Sequence, residues 1–181
     1  IVVTAIPNAE PGAELLRPAA VLSGAELEQR RTNTIGGTVA REAGVQSGTF
    51  GPAVGRPIIR GLEGARVQVL QSGVSSLDVS TVSADHAVTI EPFLADQIEI
   101  LKGPSTLLFG SGAIGGVVNM VDGRIAEAPV EGFGGRAELH GNTVNNERAG
   151  MVRLDAGNGA AAMHVDYVRR DGDDFDLPDS S

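Results

Sequence analysis

Apolar and polar positions alternate through the middle and the end of the chain. Arg66-Val67-Gln68-Val69-Leu70-Gln71 has period two, and Ser72-Gly73 supplies a turn before Val74. Ile98-Glu99-Ile100-Leu101-Lys102 alternates again until Gly103-Pro104-Ser105 breaks it, and Val117 to Val121 is one more strand candidate. Pro57 to Gly61 is a short strand after a loop at Gly51, Pro52 and Gly55. Before these strands the period lengthens. Ser23-Gly24-Ala25-Glu26 has capping-box spacing and predicts a helix through Arg31. Thr32-Asn33-Thr34 interrupts it and offers a second cap. A further short helix, from about Ile35 to Ala43, ends at Gly44. Short strands mixed with short helices predict a compact α+β unit ending near Ile125.

Beyond Pro129 the pattern becomes simpler. Gly135 to Gly141, Ala149 to Ala156 and Ala160 to Arg169 are strand-length runs separated by Asn/Gly-rich turns. In the third, Met163, Val165, Tyr167 and Arg169 share one face, and His164, Asp166 and Val168 the other. Consecutive antiparallel strands fit this best. Three strands with so little apolar bulk make a poor independent domain, so they read as the beginning of something larger. Asp171 to Ser181 is an acidic, proline-containing loop. At the other end, Ile1 to Ala5 is extended and β-branched, and Pro7 and Pro11 break any regular element after it. That segment is either an ordinary first strand or a detachable tail.

Composition narrows the function classes. The 181 residues carry 14 Lys+Arg against 23 Asp+Glu, a formal charge of −9, which argues against a nucleic-acid partner. The absence of cysteine removes disulfides, thiolate metal sites and cysteine nucleophiles together. Five Phe, one Tyr and no Trp leave few bulky anchors, while 25 glycines accompany a hydrophobic content of 41%, too high for a disordered chain. No run approaches the roughly 18 apolar residues of a membrane-spanning helix, which leaves barrel strands open.

Candidate chemistry is sparse. Gly110-x-Gly112-x-x-Gly115 has the spacing of a dinucleotide fingerprint, but the residues that follow are strand-like where a helix is required. No Gly-x-Ser-x-Gly elbow occurs, so the reading is not an enzyme. Asp85 and His86 are neighbours in a polar loop, with Asp78 a few residues earlier. Imidazole and carboxylate are zinc donors, but two do not complete a site.

Pro57 to Leu62, Arg66 to Val74 and, most strongly, Ile98 to Asn119 carry a resemblance to the plug domain of TonB-dependent outer-membrane receptors. Gln71-Ser72-Gly73 departs from it where many members have aspartate before the glycine. The resemblance implies a plug with a small mixed sheet and short helices, followed by antiparallel strands that begin a transmembrane β-barrel. It implies residues 1–10 as TonB box and linker, 11–127 as plug, and 128–181 as linker and first barrel strands. Ile1, Val2, Val3, Thr4 and Ala5 then look like a TonB box, which adds to a sheet edge of the TonB C-terminal domain in the periplasm. Arg60, Glu91 and Glu99 are expected by resemblance to face a wet plug–barrel boundary, which shears without exposing dry surface. The stretch Asp85 to Pro92 looks most like zinc-uptake receptors, in which the matching aspartate and histidine help hold metal. No cofactor is implied; zinc would be cargo. The implied function is TonB-energised uptake of a scarce nutrient, a metal ion or metal complex, with the plug in the barrel lumen as a passive gate. A glycine-rich, aromatic-poor plug is expected to open at low force when pulled from residue 1. The alternative is a soluble periplasmic binding or interaction module with a plug-like fold.

Overall fold

A computed structural model describes residues 19–76, 79–126, 128–143 and 145–173. The chain divides into two units, one up to Asp122 and one from Gly123 onward. The first unit is built on a five-stranded sheet. Its strands are β1 (Ala19–Ser23), β4 (Val67–Gln71), β5 (Val74–Ser75), β6 (Gln97–Leu101) and β7 (Gly116–Val121), in the order β1-β6-β7-β4-β5. Only β4–β7 is parallel; the other seams are antiparallel. A separate hairpin pairs β2 (Val45–Thr49) with β3 (Gly55–Ile59), and two short helices, α1 (Gly24–Arg30) and α2 (Ile35–Val39), precede it.

Both faces of the sheet are covered. Ile98, Ile100, Val118 and Met120 join Leu22, Leu27, Ile35 and Ile59 in the larger apolar cluster. Leu70, Leu101, Ala113 and Val117 form a smaller cluster. The hairpin can lie against α2 because glycine faces glycine. A Cβ on Gly36 would stand 2.6 Å from the Arg56 carbonyl carbon and 2.7 Å from that of Gly55. The turn after β3 places Arg60 and Gly61 at φ 52° and 77°, in the left-handed region.

Several expectations change in detail. Ser23 continues β1 with an extended backbone and makes no side-chain cap, and Glu26 pairs with Arg30 at 2.6 Å instead, so the capping box does not form. The second cap does form: Thr34 accepts from the Gly37 amide, but α2 stops at Val39, well before Gly44. Strands β1 and β2 are additions to the sequence reading. Residues 104–113 form two 3₁₀ turns, and β7 follows Gly115, so no helix is available to hold a pyrophosphate.

The second unit is an antiparallel meander of β8 (Glu131–Asn142), β9 (Glu147–Asn158) and β10 (Ala162–Asp171), longer than the alternation alone marked. Strands of 12, 12 and 10 residues match the roughly 9–11 needed to cross a bilayer at a tilt. The register puts Leu139, Val152, Leu154, Val165 and Tyr167 on one face, all exposed. The opposite face carries Arg136, Arg153, Asp155, His164 and Asp166. There the His164 ring lies 2.7 Å from Asp155 and 3.1 Å from Asp166, and Arg153 and Arg124 flank the two carboxylates. This is the apolar-out, charged-in pattern of barrel strands.

Candidate functional site

Between β5 and β6 the connection includes two short 3₁₀ turns, Val79–Thr81 and Pro92–Leu94, and the candidate metal residues lie between these turns. The ring Nδ1 of His86 stands 3.0 Å from Asp85 Oδ1, and both side chains are about half exposed. Ser83 organises the pair: its hydroxyl donates to the Asp85 carboxylate, and its carbonyl accepts from the His86 amide at 3.3 Å. The Ser83 hydroxyl first, and then His86, hold the Asp85 carboxyl below the usual carboxylate range. An ionised carboxylate beside an imidazole suits a cation, yet no group of three His, Cys, Asp or Glu able to hold a metal occurs among the described residues. Asp78 and the segment Ile1 to Ala5 lie outside the described residues.

The three residues expected at the plug–barrel boundary fall in different environments. Arg60 is exposed and holds its turn through a main-chain bond from its amide to Gly44 O, 2.9 Å. Glu91 is partly buried and caps the 3₁₀ turn Pro92–Leu94, its carboxylate accepting from Phe93 N at 3.1 Å. Glu99 is not on a surface: it is 0% exposed on β6. Gln97 Nε2 donates to one carboxyl oxygen at 2.6 Å and Asn119 Nδ2 to the other at 3.0 Å. The Glu99 carboxylate is thus engaged inside the unit, on the face of the sheet that also carries the smaller apolar cluster.

Two arrangements went unread in the sequence. One is a polar lock around the β4–β5 turn: Asn119 Oδ1 accepts from Gly73 N at 2.9 Å, and Asp122 accepts from Gln71 Nε2 at 2.7 Å and from Ser72 Oγ at 3.3 Å. The other is Arg56, buried on β3, whose guanidinium reaches Ser83 O at 3.5 Å, beneath the loop of Asp85 and His86. No local motif announces either; both depend on which strands become neighbours.

A mixed sheet with a hairpin packed against a short helix is followed in the chain by long antiparallel strands that expose an apolar row. The family model of the TonB-dependent receptor plug domain matches residues 12–117, and the chain belongs to that family. Plug domains of this family lie within the barrel lumen of outer-membrane receptors; they are receptor parts and not enzymes. Solved structures share the fold. A mutant of the ferric enterobactin receptor PfeA from Pseudomonas aeruginosa aligns over 96% of this chain and 26% of its own, at 16% identity and TM-score 0.74. The siderophore receptor PirA from Pseudomonas aeruginosa aligns over 86% and 28%, at 20% identity and TM-score 0.65. The copper transporter OprC aligns over 86% and 24%, at 23% identity and TM-score 0.68. The chain therefore spans about a quarter of the length of these proteins.

Proposed function

We propose that this chain is the gate of a receptor that takes up a metal ion or metal complex across the bacterial outer membrane, driven by TonB. The observation that carries the reading is one chain joining a plug-family unit to three strands whose apolar row faces outward. Such a row has no partner in water and suits lipid. Solved proteins of the same fold include siderophore receptors and a copper transporter, which supports metal-bearing cargo. Within that class we take zinc as the cargo, with Asp85 and His86 as two of its ligands and the barrel as the source of the others. Ile1 to Ala5 is the strand that TonB grips, by adding main-chain hydrogen bonds at a sheet edge. Arg60 and Glu91 meet the barrel wall.

The test is zinc titration of the complete receptor, paired with TonB-dependent uptake in cells. His86→Ala is expected to weaken zinc binding at least tenfold, and deletion of residues 1–5 to abolish uptake while sparing binding. Unchanged affinity in His86→Ala removes the zinc assignment. Uptake that survives loss of residues 1–5 removes the TonB box. The soluble-module alternative predicts a protein that needs no membrane or detergent, against which the exposed apolar row argues.

A further inference from the structure

Four arginines of the chain stand against carboxylates while remaining partly or fully exposed. Arg30, Arg124, Arg153 and Arg169 face Glu26, Asp166, Asp155 and Asp171 at 2.6, 3.1, 2.8 and 2.9 Å. Arg56 on β3 inverts that arrangement. It is only 8% exposed, and its side chain makes one long hydrogen bond, from Nη1 to Ser83 O at 3.5 Å. No carboxylate of the described residues stands within ion-pair distance of it. A guanidinium carries five N–H donors, and a buried cation without a counter-charge is costly. One bond of that length leaves most of the demand unmet.

The space beside the guanidinium suits a small acceptor. Ser76, Ser80 and Thr81 line a cavity of about 10 Å³ together with Arg56, and Val67 and Val88 supply apolar walls. Ser80 is buried, at 3% exposure. Gly64 keeps the guanidinium clear on another side, since a Cβ there would stand 3.3 Å from Arg56 Nη2. None of the described residues lining the cavity is acidic. The volume takes one group of water size or slightly larger, and not the four oxygens of phosphate or sulfate. Water fits by size, but a neutral guest leaves the guanidinium charge uncompensated. A monatomic anion meets both conditions. Its charge opposes that of Arg56, and hydroxyl donors and valine methyls can enclose it.

We propose that this cavity is a halide site that takes chloride, with Arg56 as the counter-charge and the buried Ser80 as a hydroxyl donor. The bound ion joins β3 to the segment from Ser76 to Ser83, a second tie beside the long Arg56–Ser83 bond. The order of that segment then depends on chloride. Every residue of the site precedes Asp122, so the site is complete within the first unit. It asks nothing of TonB or of the cargo, and it goes beyond the uptake reading without resting on it.

The experiment uses the complete receptor, without zinc. Crystals transferred to sodium bromide are expected to show an anomalous peak beside the Arg56 guanidinium, absent in Arg56→Gln. In solution, amide exchange over residues 79–89 is compared in chloride and in gluconate at equal ionic strength, which cancels screening. Chloride should slow exchange by roughly threefold or more, and increasingly with concentration, as a ligand of the closed form does. Arg56→Gln should abolish that dependence and leave exchange fast in both salts. Ser80→Ala, which keeps Arg56 in place, should weaken it, and serves if Arg56→Gln does not fold; an unaltered dependence there counts against the site. Equal exchange in the two salts, or bromide binding at crystal concentration only, overturns the proposal. So does a chloride effect that survives Arg56→Gln. Asp78→Asn tests for a counter-charge from within the chain: a chloride effect that arises only in that variant assigns the charge to Asp78 and overturns the halide site.

Discussion

Gly36→Ala separates helix propensity from packing, because the two predict opposite signs. Gly36 lies in the first turn of α2, where propensity alone favours alanine by up to about 1 kcal/mol. The new Cβ would stand 2.6–2.8 Å from the backbone of Gly55 and Arg56, and backbone in a paired strand cannot rotate away. Overpacking of this kind costs about 1–3 kcal/mol. Moving α2 outward also disturbs the Thr34 cap, since Thr34 packs against Gly55, and a lost cap costs about 1 kcal/mol. With the propensity gain subtracted, the net destabilisation is about 1–3 kcal/mol. The assay is hydrogen exchange of peptides spanning residues 33–60 in the complete receptor, where about 2 kcal/mol reads as a roughly thirtyfold faster exchange. Gly112→Ala is the control, because its Cβ would meet only Ala65 O at 3.4 Å. Slower exchange in Gly36→Ala would show that propensity prevails and that the α2–β3 contact is not tight.

Three other outcomes are expected. Ser83→Ala should raise the Asp85 titration midpoint toward the ordinary carboxylate value, followed by carboxyl-carbon NMR shifts. Since folding lowers this pKa, its stabilising effect is present above the unfolded value and is lost as pH falls through the folded one; a midpoint unmoved by Ser83→Ala contradicts the assignment. Asn119→Ala removes the bonds to Glu99 and Gly73 and should destabilise the first unit by about 2–4 kcal/mol, with faster exchange at the Gly73 amide; an unchanged Gly73 rate refutes the lock. On the strand unit, Val165→Lys should cost about 2–4 kcal/mol of receptor stability in lipid, and Gly134→Lys on the charged face far less; equal costs would mean that the faces are misassigned.

What could be read in the sequence, and what could not, divides by the range of the interaction. Strands β4, β6 and β7 alternate or carry motif residues, and Thr34 caps a helix three residues away, so local pattern sufficed. Strand β1 escaped because Ala19 to Ser23 runs straight into α1 and its apolar residues merge with the helical stripe. Strand β2, Val-Gln-Ser-Gly-Thr, has one buried residue and is a strand only because β3 pairs with it. Glu99 alternates with Ile98 and Ile100, but the face it takes is covered, and besides Gln97 its carboxylate meets Asn119, twenty residues on. For the candidate site, Asp85 and His86 are adjacent in the sequence and stay adjacent in space. The contact of Arg56 with their loop, made at Ser83 O 27 residues on, follows from the fold and from no local signal.

The two units answer to different solvents, and this explains a composition that looks poor for either alone. The first unit places its aliphatic residues inside a sheet covered on both faces and reserves glycine for close approaches such as Gly36 to Gly55. The second turns the arrangement inside out: its apolar row is exposed and its ion pairs face the other way, as on a wall between lipid and a wet lumen. Few aromatics suffice because neither unit has to close a large dry core in water by itself.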